Sequence, residues 1–173
     1  MNDSDKYKAY SSMAETTRKW VSVMDTKAGF ISALNAGLLG FIWTGAKLIE
    51  AGLPKVFALS ATVFSLLSLF TALKVVLPRA SLKHVFGKHS TYSSKQISFY
   101  GFVADYYPKE DSNRFLDEVQ QIDEVSLARE ALEQHFTISH IVQCKSKLVA
   151  VAGYLLQIAL VLTVFSMFIK VLS

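Results

Sequence analysis

The sequence predicts an all-α membrane protein with three transmembrane helices and cytoplasmic helical extensions that form a small cytoplasmic domain. Three windows free of charged residues carry that reading: 28–46 (19 residues), 56–73 (18) and 148–169 (22). At about 1.5 Å per residue, each can cross a hydrocarbon core about 30 Å thick, the second only just. Composition agrees, since 51% of the 173 residues are hydrophobic and 18% charged, against about 25% charged in soluble domains. A soluble domain of this length could hardly cover three such helices. The division that follows is a cytoplasmic helix over 1–27 continuous with span one, spans over 28–48, 56–77 and 148–170, and a cytoplasmic insert over 78–147.

The first window is not expected to be a signal peptide. It follows 27 residues that include Asp3, Asp5, Glu15 and Asp25, not a short basic segment, and no convincing cleavage pattern comes after it. Orientation follows from the basic residues. Fourteen lie in segments 1–27 and 79–147, three in the hairpin 47–55 and the C-terminal tail, and Lys74 near the end of span two. The basic side is expected inside, which puts the N-terminus in the cytoplasm and the 48–55 turn and the C-terminus outside. Anionic inner-leaflet lipid and this orientation signal account for the net charge of +4, so no nucleic-acid polymer is expected as a partner. The single cysteine, Cys144, allows no intrachain disulfide and no cysteine zinc site.

Each element has its own signal. Residues 4–27 show three-to-four spacing through Tyr10, Met13, Thr17, Trp20, Val21 and Met24, a stripe expected to pack on other cytoplasmic helices. Span one carries Gly29, Ala33 and Gly37 four apart, a pattern that lets another helix approach closely. Asn35 in the same span should face protein or water rather than lipid. Gly52 and Pro54 should make the outer turn. Span two sets Ala61, Ser65, Ser68 and Ala72 against Phe64, Leu67 and Phe70. The small polar face is either a packing face or a water-exposed lining. Pro78 ends or kinks the span. Residues 86–94 read as a loop, and 96–107 as a strand or a short helix. A long helix capped by Asp111 or Ser112 should bury Phe115, Val119, Ile122, Val125, Ala128, Leu132 and Phe136 and leave its acidic faces in solvent. It is expected to run into span three, with a break near His140, and Gly153 and Gln157 should face other helices.

Enzyme signals are absent. The chain has no GxxxxGK[ST], GxGxxG or GxSxG. His84 and His89 are five apart, as are His135 and His140, so on a helix neither pair shares a face to hold a metal. No cofactor is expected. A binding site is easier to build. Arg18, Lys19, Lys27, Arg79, Lys83 and Lys145 fall near the inner boundary, and Tyr100, Phe102, Tyr106 and Tyr107 offer flat faces. An anionic aromatic ligand needs charge-assisted donors and stacking surfaces. Arg18, Lys19, Arg79, Lys83, Tyr100 and Lys145 are therefore the candidate ligand residues.

Three stretches resemble the transmembrane effectors of bacterial Pycsar anti-phage systems. "MDTKAGFISALNAGLLG" (24–40) is similar to a D-x-K-A motif entering the first span, matched at Asp25, Lys27 and Ala28. "ISFYGFVADY" (97–106) is similar to an aromatic-glycine segment, matched at Phe99 and Gly101. "ISHIVQCKSKLVAVAG" (138–153) is similar to the helix entering the last span, matched at Ser139 and Lys145. The resemblance covers most of the chain. It implies a cytoplasmic cyclic pyrimidine nucleotide, cCMP or cUMP, made by a partner cyclase on infection. It also implies loss of inner-membrane integrity on binding, and abortive infection. Asp25, Lys27 and Gly101 are then expected to be coupling or structural positions. Three spans hardly enclose a water path, so a homo-oligomer is expected, with Gly29, Ala33 and Gly37 as the helix contact. Two other readings stand beside this one. One is a constitutive membrane scaffold that holds a partner through its cytoplasmic helices, and the other an enzyme with an unrecognised membrane site.

Overall fold

The computed structural model describes residues 3–45, 52–77 and 106–172, together with Leu48 and Val103. Every regular element among them is helical. Helix α1 runs unbroken over Asp3–Gly40 and relaxes into a π-helical turn at Phe41–Gly45. Helix α2 spans Leu53–Val76. A 3₁₀ turn at Lys109–Asp111 leads into α3, Ser112–Gln120, and α4 covers Glu124–Leu172. Three of these helices are long and apolar enough to cross a membrane: α1 with its π turn, α2 and α4. The loop expected at 86–94, the kink at Pro78 and most of segment 96–107 lie outside the described residues.

The chain forms two compact units, one from Met1–Trp20 and Arg79–Ile141, the other from Val21–Pro78 and Val142–Ser173. The second unit is built on one rule. In α1, Val21, Met24, Ala28, Ile31, Asn35, Leu38 and Ile42 are buried or half-buried, in alternating steps of three and four. Helix α2 does the same through Pro54, Ala58, Ala61, Ser65, Ser68, Ala72 and Val75, and α4 through Lys145, Val149, Ala152, Leu156, Ala159, Thr163 and Ser166. A 3.5-residue repeat keeps one seam facing its neighbours when helices wrap left-handed. The seams are mostly small residues and the outside is bulky. Ala58, Ala61, Ala72, Ala152 and Ala159 are fully covered, whereas Phe30, Phe70 and Phe168 are more than 60% exposed. Lipid is as apolar as leucine, so close packing and internal hydrogen bonds hold such helices together, not apolar burial.

Those hydrogen bonds centre on Asn35, which is fully buried as expected. Ser65 donates to the Asn35 side-chain oxygen at 2.8 Å. The Asn35 amide donates to the Ile31 carbonyl at 2.9 Å and to the Ser68 hydroxyl at 2.8 Å. Ser68 passes its own proton to the Ala152 carbonyl at 2.7 Å. One relay thus ties all three spans, and no polar group in it is left dry and unpaired. The small polar face of α2 is a packing face. At the other end, Ser166 donates to the Pro54 carbonyl at 2.7 Å. Gly52 sits at φ 77°, a left-handed conformation that L side chains rarely adopt, and with Pro54 just inside α2 it starts that helix as expected.

Three packing expectations are corrected. The long helix breaks at residues 121–123, not near His140, where α4 is unbroken. Asp123 caps the new start: its carboxylate accepts the Ser126 N–H at 3.0 Å. Hydrogen bonds from Ser126, side chain first and backbone second, hold that carboxyl below its usual range. The break resets the helical phase, so Val125, Leu132 and Phe136 are exposed, while Ala128 is buried as expected and Glu130, Ala131 and Gln134 are buried with it. In α1, the stripe members Met13 and Trp20 are exposed, and Ala14 lies at the contact with Thr17. Small side chains win both positions because they let helices come close. Finally, Gly153 is half-buried but Gln157 is exposed rather than facing the other spans.

Candidate functional site

In the first unit, α1 and α4 meet through polar side chains. The Arg18 guanidinium donates to the Gln134 side-chain oxygen, and the Gln134 amide donates to Glu130 at 3.1 Å. Glu130 is only 2% exposed. One turn away, the Thr17 hydroxyl gives its single proton to the Met13 carbonyl at 3.0 Å. The same oxygen lies 2.8 Å from His135 Nδ1, a hydrogen bond that joins α1 to α4. Arg18 differs from the other described arginines in its partner. Arg114 bonds Glu118 at 3.1 Å and Arg129 bonds Glu133 at 3.3 Å. Arg18 holds a neutral amide, and no carboxylate among the described residues pairs with it.

A second cluster in the same unit joins an arginine to flat rings. The Arg114 guanidinium lies 5.2 Å from the Tyr106 ring centre and 5.8 Å from that of Tyr107. Tyr107 packs edge-on against Phe115 at 5.1 Å and donates its hydroxyl to Glu118 at 2.7 Å. Burial, then the Glu118 hydrogen bond, push the Tyr107 phenol up to about 12. With Glu118 already taking both donors, this cluster braces α3 against the segment before it.

The candidate ligand residues do not all fall together. Arg18 lies in the polar cluster of the first unit. Lys19, one residue on, is exposed and pairs with Glu15 at 3.4 Å. Lys145 belongs to the second unit, where its ammonium is taken up by Asp25. Arg79, Lys83, Tyr100 and Gly101 lie outside the described residues. Lys27 is exposed beside a shallow groove formed with Thr26, Phe30, Ile31 and Val149. Gly29, Ala33 and Gly37 are exposed, and a Cβ placed at either glycine would meet nothing within 4 Å. Among the described residues no group of histidine, cysteine and carboxylate side chains could hold a metal ion. Sequence reasoning missed Gln134, Glu130 and His135. The acidic faces of this helix were expected in solvent, whereas Glu130 is buried.

A small-residue bundle of three membrane-length helices, attached to helices that pair a guanidinium with a neutral amide, defines a multi-span membrane protein with a polar helical unit. No curated protein and no solved structure matches the chain. The family model described as Pycsar effector protein domain matches residues 9–171. The chain belongs to that family, and is a transmembrane effector of Pycsar anti-phage defence.

Proposed function

We propose that this chain is a switch in the inner membrane of a bacterium, thrown by cCMP or cUMP from a partner cyclase, and that switching impairs membrane integrity and aborts infection. Its N-terminus is cytoplasmic, in keeping with the basic residues concentrated in segments 1–27 and 79–147. The carrying observation is Arg18, a guanidinium held by a neutral amide. A cyclic mononucleotide brings one phosphodiester charge, and an anion exchanging for Gln134 would give the guanidinium a full negative charge, with the option of two parallel N–H···O bonds, in place of a neutral amide oxygen. His135, hydrogen-bonded to Thr17 through Nδ1, belongs to the same cluster. Lys19, Arg79, Lys83 and Tyr100 complete the proposed site. Asp25, Lys27 and Gly101 couple it to the spans, and the Asp25 pair makes Lys145 a coupling residue as well.

The energetic demand is moderate. Moving the equilibrium from 1:99 to 99:1 takes about 5.5 kcal/mol of differential binding. Helices α1 and α4 each contribute to both units, so a change of side-chain partner in the first is made on helices that also form the second. Subunits associate through Gly29, Ala33 and Gly37.

The test is thermal stabilisation of the detergent-solubilised chain by cCMP and cUMP, with cAMP and cGMP as controls. A pyrimidine nucleotide at 100 times its Kd should add about 2.7 kcal/mol. Arg18→Ala should lose that response while still inserting into the membrane. No stabilisation by either pyrimidine nucleotide overturns the gating reading. A stoichiometric partner protein recovered in the absence of any nucleotide effect would favour the scaffold.

A further inference from the structure

Helix α4 carries a second seam that no described residue covers. Ala150, Tyr154, Gln157, Val161, Val164 and Phe168 are all exposed and recur in steps of four and three. They follow the buried seam residues by one and two positions alternately, so this face lies roughly 150° around the helix from the one that packs on α1 and α2. Tyr154, Val161, Val164 and Phe168 are between 54% and 66% exposed. Gln157 and Val161 line a shallow groove with Tyr154 and Ile158. The face carries no charge, and its polar groups are the Gln157 amide and, one turn away, the Tyr154 hydroxyl.

That amide is in an expensive place. Gln157 is the tenth of the 22 charge-free residues in 148–169, which sets it near the middle of the hydrocarbon. Its side chain makes no hydrogen bond to any described residue. The other polar side chains of the spans behave differently. Asn35, Ser65, Ser68 and Ser166 are fully buried and bonded to another helix, while Thr62 and Thr163 bond their own helix. An amide left unpaired in an alkane-like medium costs several kcal/mol, so Gln157, with no partner among the described residues, calls for one from another molecule.

We infer that the partner is Gln157 of a second copy of this chain, docked along the Ala150–Phe168 face of α4. A primary amide carries a donor and an acceptor side by side, so two copies related by a twofold axis satisfy each other with no third group. The face has no charge that would call for a partner of opposite sign. Its four-three spacing lets a like helix wrap around it, and one polar residue in an apolar seam fixes the register. The contact needs no nucleotide. It is distinct from the Gly29–Ala33–Gly37 contact on α1, and a chain that self-associates through α4 yet ignores cCMP and cUMP would uphold this inference while removing the gating reading.

The experiment uses the full chain in liposomes of phosphatidylethanolamine and phosphatidylglycerol, with Cys144→Ser as the background. Single cysteines are introduced by Gln157→Cys, Val161→Cys, Val63→Cys and Ala33→Cys, and disulfide formation is read on non-reducing gels. Gln157→Cys and Val161→Cys should cross-link, and Val63→Cys, on an exposed face of α2, should not. Energy transfer between labelled copies then measures association. Gln157→Leu should weaken it between 3-fold and 30-fold, about 0.6–2 kcal/mol for one amide contact in a membrane, and Gln157→Asn should recover part of the loss. Cross-linking at Ala33→Cys alone, a monomeric chain, or unchanged association of Gln157→Leu would each overturn the inference.

Discussion

At the residue scale, the bilayer makes single hydrogen bonds count. Asn35 serves three partner groups on two helices besides its own backbone. Asn35→Leu keeps the volume but strands Ser65 and Ser68 without their partner. We expect it to lower stability by about 1–3 kcal/mol, seen as a lower unfolding temperature in detergent, with Ser65→Ala milder because one bond is lost. Tyr107 gives a pH-dependent expectation. Its phenol sits at about 12 in the folded chain against an ordinary value of 10.0. The unfolded chain therefore releases its proton first as pH rises. The stabilisation is complete below pH 10.0, declines between there and about 12, and is gone above. Tyr107→Phe should flatten that decline, checked by unfolding curves across the alkaline range. Asn35 was legible in advance because an amide inside an apolar window has few places to go. Gln157 follows the same logic and was misplaced, because that logic does not say whether the partner is in the same chain.

At the element scale, periodicity found the helices and misjudged their faces. Hydrophobic stripes pick large residues, whereas helices packed closely prefer alanine, serine and threonine. That is why Ala14 replaces Met13 in α1, and Ala131 replaces Leu132 in α4. The break at 121–123 was missed because Ile122 falls on the expected stripe. The decisive signal was local: Asp123 three residues before Ser126, with its carboxylate on the Ser126 N–H. Asp123→Ala should fray the first turn of α4, detectable as faster amide exchange over 124–128, with the rest of the helix unchanged. The same loosening should appear in the parent protein once pH falls through the depressed Asp123 value, since the stabilisation of a lowered carboxylate is present above its ordinary range and lost below.

For the whole molecule, three apolar windows were enough to define the class of protein, since an uncharged run of 18 or more residues has one common explanation in a chain this short. The site was less legible. Basic residues near a membrane boundary are explained by topology alone, and sequence does not tell which are neutralised by a neighbour. Lys145 and Lys19 pair with carboxylates, and Arg18 does not. Lys145→Ala and Asp25→Ala should each weaken the coupling of ligand to leakage without abolishing binding. A double-mutant cycle on the half-exposed pair should return about 1 kcal/mol or less, read by dye release from liposomes alongside calorimetric affinity.

Gly29 and Gly37 sit mid-helix, where alanine would be favoured by about 1 kcal/mol each, and nothing among the described residues stands in the way of the extra methyl. A folding-only protein would gain by the exchange. Gly37→Ala should therefore yield a sturdier polypeptide, and if that sturdier polypeptide no longer protects its host, the bare backbone at this spot serves a neighbouring molecule and not the chain that carries it.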